Sequence, residues 1–442
     1  MVKPILIKEK IKPFNKKIFV NGDKSLSIRW ALMASQAIGK SRAYNILKSE
    51  DVKSALKCLN TLGIKSVFKK DYCEINGDGI NSFKFKKNLV LNAGNSGTVG
   101  RLLLALLIRS PYKIKLIGDK SLSKRDFSRV ITPLKYFGAK FYPNNKTTLP
   151  IYIQGTDSLK PIDYYEKKGS AQVKSCVMLA ALNISGETKI IAKKSRDHTE
   201  ILFKHLKIPL KVKKTKNLDY IKVKGLKNFK SFNYNIPSDI SSSSFFIVLT
   251  TLAQKSSLVI KNVNINPSRI GVISILKMMN AKIKLKKIKN YKGEKIADIY
   301  VKSSNSLKSI NCPIKFNSSA IDEFLIIFLV AAKAKGVSYF KNLSELDQKE
   351  SPRLKLGSKI LNMMGIKTIL TKHSIKIFGN PNLQIKKNIE IKDFLLDHRV
   401  FMMSTIAALS FGNIWKINNP ESINTSFPSF LKIIKKIGGK IK

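Results

Sequence analysis

Apolar positions recur at helical spacing along this chain in two alternating kinds of segment. The first kind opens on small or polar residues and runs into an Ala/Leu-rich body: SIRWALMASQAIG from Ser27, GTVGRLLLALLIR from Gly97, AQVKSCVMLAALN from Ala171, ISSSSFFIVLTTLAQ from Ile240, IDEFLIIFLVAAKAKG from Ile321 and DHRVFMMSTIAALSFG from Asp397. The second kind is amphipathic and follows each of the first after about 25 to 30 residues. These segments are DVKSALKCLNTLGIK, DFSRVITPLKYFGAK, DHTEILFKHLKIPLK, SRIGVISILKMMNAK, SPRLKLGSKILNMMGIK and FPSFLKIIKKIGGKI, and most end on a glycine stop. Short alternating segments come next, such as KFYPNN with IYIQG, LKVKK with YIKVKG and KTILTKH with IKIFG, which predict strand pairs.

The first-kind starts are about 70 to 80 residues apart, so the pattern predicts one unit used six times: strand, helix, strand, helix, two strands. The expected fold class is α/β (α+β), and 442 residues exceed what one ordinary core holds. The sixth copy runs out at GGKIK, and the N-terminal segments ILIKEK and KKIFVNG are expected to complete it. That places residues 1–22 with 237–442 in a discontinuous lobe of three repeats and leaves 23–236 as an inserted lobe of three. Two chain crossings between lobes predict a hinged cleft.

Composition changes this picture little. A net charge of +54 can mark a nucleic-acid or membrane-surface binder. Here lysine is spread through almost every segment beside abundant Ile and Asn, with no basic tail or aromatic-interleaved stripe, so the charge reads as a compositional bias. No specific nucleic-acid partner and no membrane association are expected, since no apolar run is long enough to span a bilayer. The four cysteines form no CxxC pair and the four histidines no HExxH motif, so neither a disulfide framework nor a zinc site is expected. A reducing, cytoplasmic location fits.

Chemistry is concentrated at the helix starts. Capping accounts for a Ser, Asp or Asn at each. It does not account for Lys24, Arg29, Arg101, Arg125, Arg353 and Arg399, because the helix dipole disfavours cations at that end. Cations beside exposed backbone N–H groups suit phosphates and carboxylates. The stretch NAGNSGT lacks the GK[ST] ending of a nucleotide-binding P-loop, which argues against ATP.

The segments GDKSLSIR (22–29), NAGNSGTVGR (92–101), SKRDFSRV (123–130), GSAQVKS (169–175), SRDHTE (195–200), NPSR (266–269), IDE (321–323), KESPRL (349–354), DHR (397–399) and NTSFP (424–428) resemble, in order, those of the 5-enolpyruvylshikimate-3-phosphate synthase family, most closely its second class. The resemblance implies a two-lobed enolpyruvyl transferase fold with three βαβαββ units per lobe, acting as a monomer without metal or organic cofactor. Its implied substrates are 3-phosphoshikimate and phosphoenolpyruvate. It implies 3-phosphoshikimate contacts at Lys24, Ser25, Arg29, Ser170, Ala171, Gln172, Asp322 and Lys349, with Ser195 or Arg196 at the 3-phosphate. It implies phosphoenolpyruvate contacts at Lys24, Asn95, Gly97, Arg125, Gln172, Arg353 and Arg399. Asp322 matches the base at the 5-hydroxyl, Glu350 the proton-transfer group at the methylene, and Lys24 a charge-stabilising or proton-donating group.

Departures from the family pattern are Asp126 for a proline, Asp347-Gln348 for Arg-Val, Pro352 for an aspartate, and Thr425 where some members carry lysine. Asp347 is expected to weaken anion binding or to pair with a lysine, and the chemistry to persist with altered affinities. Three bland readings stand beside these: Asp322 as an N-cap, Arg29 as a solvated helix residue, and Glu350 as a capping residue ahead of Pro352. The rival functions are an enolpyruvyl transferase acting on a UDP-amino sugar, which uses a loop cysteine, and a basic nucleic-acid binder on a decayed enzyme fold.

Overall fold

The computed structural model describes residues 3–442; Met1 and Val2, at the edge of the expected 1–22 segment, lie outside the described residues. The chain divides into two compact units. One holds the stretch up to Asn21, Pro237–Asn290 and Lys295–Lys442; the other holds Gly22–Ile236 together with Tyr291–Glu294, the turn of a long hairpin. Each has its own hydrophobic core.

All twelve helices of the pattern form. The first kind are Lys24–Ala34, Gly97–Leu106, Ala171–Ala181, Ile240–Leu252, Phe324–Lys333 and His398–Phe411. The second kind are Glu50–Thr61, Ser128–Phe137, His198–His205, Gly271–Met278, Arg353–Met363 and Phe430–Lys436. Apolar residues cover all sides of the first kind, so these helices sink into the cores. Every residue from Ile240 to Thr251 is buried, as is every residue from Phe324 to Ala332. The second kind keep one wet face, as in Glu50–Thr61, where Val52, Ala55, Leu56 and Leu59 point inward. No helix among the described residues is long and apolar enough to cross a membrane.

Among the described residues six small sheets accompany the helices. In the third repeat, Asp163–Glu166 runs parallel to Glu187–Lys193, which pairs antiparallel with Leu218–Lys224, and Leu210–Lys214 closes the edge. The second repeat copies this with Val90–Asn92, Ile114–Ile117, Ile151–Gln154 and Lys140–Tyr142. Of the two N-terminal segments, one takes the expected place and the other does not. Segment ILIKEK does join the sixth sheet, where Ile5–Ile7 pairs with Trp415–Ile417 and Leu6 exchanges two backbone hydrogen bonds with Lys442. Segment KKIFVNG does not: Asn15–Ile18 lies parallel to Ser257–Asn264 in the fourth sheet.

The first sheet obtains its leading strand in the same displaced way, from Asn233–Asn235 beside Ile38–Tyr44. Each crossing therefore follows a strand that stays behind, with Asn21 and Ile236 as the last residues before the chain changes unit. The other difference is the fifth first-kind helix, which begins at Phe324 and leaves Asp322 in the preceding turn.

A glycine recurs where the last strand of a repeat backs onto the end of its first helix. A Cβ at Gly225 would lie 2.0 Å from the Ala181 carbonyl oxygen and 2.3 Å from that of Ile184; at Gly379 it would lie 2.1 Å from that of Ala334, and at Gly77 2.4 Å from that of Ala34. Backbone leaves no slack of the kind a flexible side chain provides. Gly225→Ala is expected to destabilise its unit by about 3 kcal/mol through overpacking, read as a lowered midpoint of denaturant unfolding. An unchanged midpoint would remove this contact as a constraint on the repeat.

Candidate active site

Each unit carries its own set of polar groups at its buried helix starts. In the unit of residues 22–236, Asp23 caps the helix Lys24–Ala34 by accepting from the Leu26 N–H at 2.9 Å. Lys24 opens that helix and its Nζ lies 2.9 Å from Asp51 Oδ2. Ser25 follows, and its carbonyl accepts from Arg29 Nη1 at 3.2 Å. Arg29 is buried rather than solvated, donating through Nε to Thr199 Oγ1 at 2.9 Å and through Nη2 to Ser175 Oγ at 3.0 Å.

The helix starts of the second and third repeats are joined directly. Ser96 and Ser170 cap Gly97–Leu106 and Ala171–Ala181 by accepting from Val99 and Val173. The first N–H groups of each helix then have no intrahelical acceptor, as an anion site requires. Gln172 Nε2 donates to Thr98 Oγ1 at 3.0 Å, and its Oε1 accepts from Arg101 Nη1 at 2.8 Å. Arg101 also lies over the Phe127 ring and donates to the Asp126 carbonyl, so it braces these starts. Arg125 Nη2 donates to Asn95 Oδ1 and Ser121 Oγ, each at 3.4 Å, while Asn95 Nδ2 donates to Asp119 at 2.6 Å.

Gly97 lies close under two guanidinium groups. A Cβ there would meet Arg101 Nη1 at 2.9 Å and Arg125 Nη1 at 3.2 Å. Ser195 and Arg196 lie in the segment ahead of His198–His205, and Ser195 Oγ is buried with no hydrogen-bond partner.

In the other unit, charges gather around Arg353, which is 1 % exposed at the start of Arg353–Met363. Its Nε donates to Asp397 Oδ2 at 2.8 Å, its Nη2 pairs with Glu350, and its Nη1 lies 3.6 Å from Asp322 Oδ1. Lys349 Nζ sits 3.2 Å from the same Asp322 oxygen. Burial opposes charge on Arg353, but Asp397, Glu350 and Asp322 outweigh it and hold the guanidinium firmly protonated. Burial likewise opposes ionisation of Asp397, and Arg353 overcomes it to hold the carboxyl below the usual range. Arg399 donates through Nη1 to the Asp322 carbonyl at 2.6 Å and through Nη2 to Ser241 Oγ at 2.8 Å.

The capping readings do not survive this geometry. Glu323, not Asp322, occupies the N-cap position of Phe324–Lys333, and Pro352, not Glu350, occupies that of Arg353–Met363. Asp347 shows no lysine partner among the described residues: its carboxylate accepts from the Leu354 N–H at 2.9 Å and does the capping itself. Asp126 similarly accepts from the Ser128 N–H at 2.9 Å. Thr425 Oγ1 donates to the Ser422 carbonyl at 3.0 Å and lies 3.5 Å from His398 Nδ1.

Sequence reasoning missed the groups that hold the cations, Asp51, Ser175, Thr199, Ser241, Glu323 and Asp397, and Asp119, which holds Asn95. Nothing in the sequence marks them beyond ordinary polar residues near helix starts.

The fold that carries these residues belongs to a known class. The fold matches the enolpyruvyl transferase NikO from Streptomyces tendae with a TM-score of 0.78 at 13% identity, covering 100% of this chain and 98% of that one. It also matches an EPSP synthase from Acinetobacter baumannii with a TM-score of 0.87 at 34% identity, over 100% and 99% of the two chains. The protein therefore has the enolpyruvyl transferase fold. The family model described as EPSP synthase (3-phosphoshikimate 1-carboxyvinyltransferase) matches residues 8–434. Proteins named 3-phosphoshikimate 1-carboxyvinyltransferase from Petrotoga mobilis and Ruthia magnifica are each 39% identical over 428 residues, 96% of this chain and 97% and 95% of theirs. The chain belongs to the EPSP synthase family.

Asp397 gives a direct test of the Arg353 anchor. Asparagine caps a helix as well as aspartate does, so Asp397→Asn removes the charge while sparing the cap. Loss of a buried partner is expected to cost about 3 to 5 kcal/mol in denaturant unfolding. A loss below about 1 kcal/mol, the size of an exposed pair, would count against the anchor.

Proposed function

We propose that this chain transfers the enolpyruvyl group of phosphoenolpyruvate to the 5-hydroxyl of 3-phosphoshikimate, giving 5-enolpyruvylshikimate 3-phosphate and inorganic phosphate in aromatic amino-acid biosynthesis. The observation that carries the assignment of groups is the pair of carboxylates, Asp322 and Glu350, on one buried guanidinium, Arg353. A proton must leave the 5-hydroxyl and a proton must reach the methylene carbon, and two carboxylates held apart by a fixed cation can divide that work.

In this reading Asp322 takes the 5-hydroxyl proton as the oxygen bonds to C2 of phosphoenolpyruvate. Glu350 delivers a proton to C3, which becomes a methyl group. Glu350, left as a carboxylate by that step, then takes back one methyl proton as the C2–O bond to phosphate breaks, re-forming the double bond and releasing inorganic phosphate. Lys24 stabilises the charge that develops at the tetrahedral centre. Arg125, Arg353 and Arg399, with Asn95, Gly97 and Gln172, hold the phosphoenolpyruvate carboxylate and phosphate, for which forked guanidinium donors are suited. Ser25, Arg29, Ser170, Ala171, Gln172, Ser195, Arg196 and Lys349 hold 3-phosphoshikimate. The unpartnered Ser195 hydroxyl is consistent with a phosphate oxygen as its acceptor.

The cysteines favour this reading over a transferase that relies on a reactive thiol. All four are free and buried, and burial pushes the thiols of Cys58 and Cys73 up to about 12 and that of Cys312 up to about 11. Four reduced thiols also support a cytoplasmic location, and in this reading the chain acts as a monomer.

Incubation with 3-phosphoshikimate and phosphoenolpyruvate is expected to release phosphate, with none when either is omitted; no release from folded protein would overturn the function. Asp322→Ala and Glu350→Ala are each expected to lower kcat by about 100-fold or more while 3-phosphoshikimate still binds. Unchanged turnover in either variant removes that residue from proton transfer. A thiol-specific reagent at pH 8 is expected to leave the native protein unlabelled and active, since thiols with raised pKa stay protonated there. Rapid labelling with loss of activity would revive the thiol-dependent alternative.

A further inference from the structure

We propose that Glu323 is a positioning residue for phosphoenolpyruvate binding and proton abstraction, acting on Arg399 and on the peptide that carries Asp322. The inference rests on the functional reading above. It starts from a carboxylate in an unusual place. Glu323 is completely buried at the N-cap position of Phe324–Lys333, yet its side chain makes no capping bond to the helix. Its Oε1 accepts from the Ser241 hydroxyl and lies 3.7 Å from Arg399 Nη1, while its Oε2 is buried without a hydrogen-bond partner. A buried carboxylate with an unpaired oxygen is unfavourable for stability. Packing alone would be better served by an apolar side chain.

The neighbouring bonds show what the group does. Ser241 stands at the start of Ile240–Leu252, Glu323 ahead of Phe324–Lys333, and Arg399 at the start of His398–Phe411. Because the Ser241 proton goes to Glu323, its oxygen lone pair is turned toward Arg399 Nη2, 2.8 Å away. The other arm of Arg399 is held 2.6 Å from the Asp322 carbonyl. The guanidinium is thus fixed at both ends by one backbone oxygen and one oriented hydroxyl. In return it pins the Asp322 peptide, whose carboxylate then faces Lys349 and Arg353. A further charged neighbour, Asp397, caps the Arg399 helix by accepting from the Arg399 N–H at 2.9 Å and also contacts Arg353 and Ser351. Glu323, by contrast, lies within ion-pair reach of the Arg399 guanidinium and also holds the hydroxyl on which that guanidinium rests.

The test is steady-state kinetics on Glu323→Ala, Ser241→Ala, Glu323→Gln and Arg399→Ala, with 3-phosphoshikimate affinity measured separately by calorimetry. Glu323→Ala is expected to raise KM for phosphoenolpyruvate by about tenfold and to lower kcat, with 3-phosphoshikimate affinity within about twofold of the parent. Glu323→Gln, which can still accept from Ser241, is expected to recover most of that loss. Ser241→Ala, a small deletion that should fold in any event, is expected to raise the same KM by about threefold or more. Should Glu323→Ala not fold, Ser241→Ala and Glu323→Gln decide the matter. The proposal is overturned if the phosphoenolpyruvate KM does not move in the folded variants, or if both substrates weaken in parallel as general damage would make them. Arg399→Ala separates the two levels: an unchanged phosphoenolpyruvate KM there would sink the assignment of Arg399, whereas a raised one beside silent Glu323 and Ser241 variants would sink only the positioning role.

Discussion

The constraint on which most of this structure depends is the burial of one helix in every repeat on all of its sides. Ile240–Leu252, Phe324–Lys333 and His398–Phe411 have no wet face, so the helix ends are where polar chemistry can be placed without desolvating an unpaired group. The C-terminal ends are closed by the following strands, where Gly225 and Gly379 sit against helix carbonyls at distances that exclude a Cβ. The N-terminal ends remain, with their unsatisfied N–H groups and positive dipole. Function at the helix starts therefore follows from how the repeat packs.

A dipole end that favours anions disfavours the arginines placed beside it, and the structure answers this with buried acceptors. Arg29 rests on Ser175 and Thr199, Arg125 on Asn95 and Ser121, Arg353 on Asp397, and Arg399 on Ser241 and the Asp322 carbonyl. Around Arg353 the balance is close to neutral, since Lys349, Arg353 and Arg399 face Asp322, Glu323, Glu350 and Asp397. The chain as a whole carries +54, yet much of that charge lies on exposed strand faces such as the alternating lysines of Lys282–Tyr291. There it discourages edge-to-edge pairing. The two charge systems are thus distinct, one solvated and diffuse, the other buried and locally balanced.

Helical periodicity made the repeat legible because each helix is set by residues within a few turns of one another. Sheet membership was less legible. Asn15–Ile18 and Asn233–Asn235 both precede a first-kind helix, yet each pairs with a strand of another repeat, and nothing local to either segment distinguishes the two outcomes. The basic site residues could be read because a cation at a helix start breaks a rule. Their partners could not, since Asp397 and Ser241 look like ordinary helix-start residues until the arginine side chains are seen to reach them. The start of the fifth helix was misplaced for a related reason: IDE looks like a cap, while Glu323 spends its carboxylate on Ser241.

The departures from the family pattern follow the same logic. An aspartate at 126 or 347 would be a liability if it faced an anion, but both carboxylates accept backbone N–H groups at a helix start, Ser128 in one case and Leu354 in the other. Capping draws on the positive dipole end that also makes these positions attractive to a phosphate. A side-chain carboxylate can take that role on a second-kind helix without disturbing the first-kind helices, whose starts carry most of the proposed substrate contacts. The repeat therefore tolerates acidic substitution at the starts of its amphipathic helices. At the buried helices, where Gly97 leaves room for two guanidinium groups and Arg399 is fixed at both ends, it has no comparable freedom.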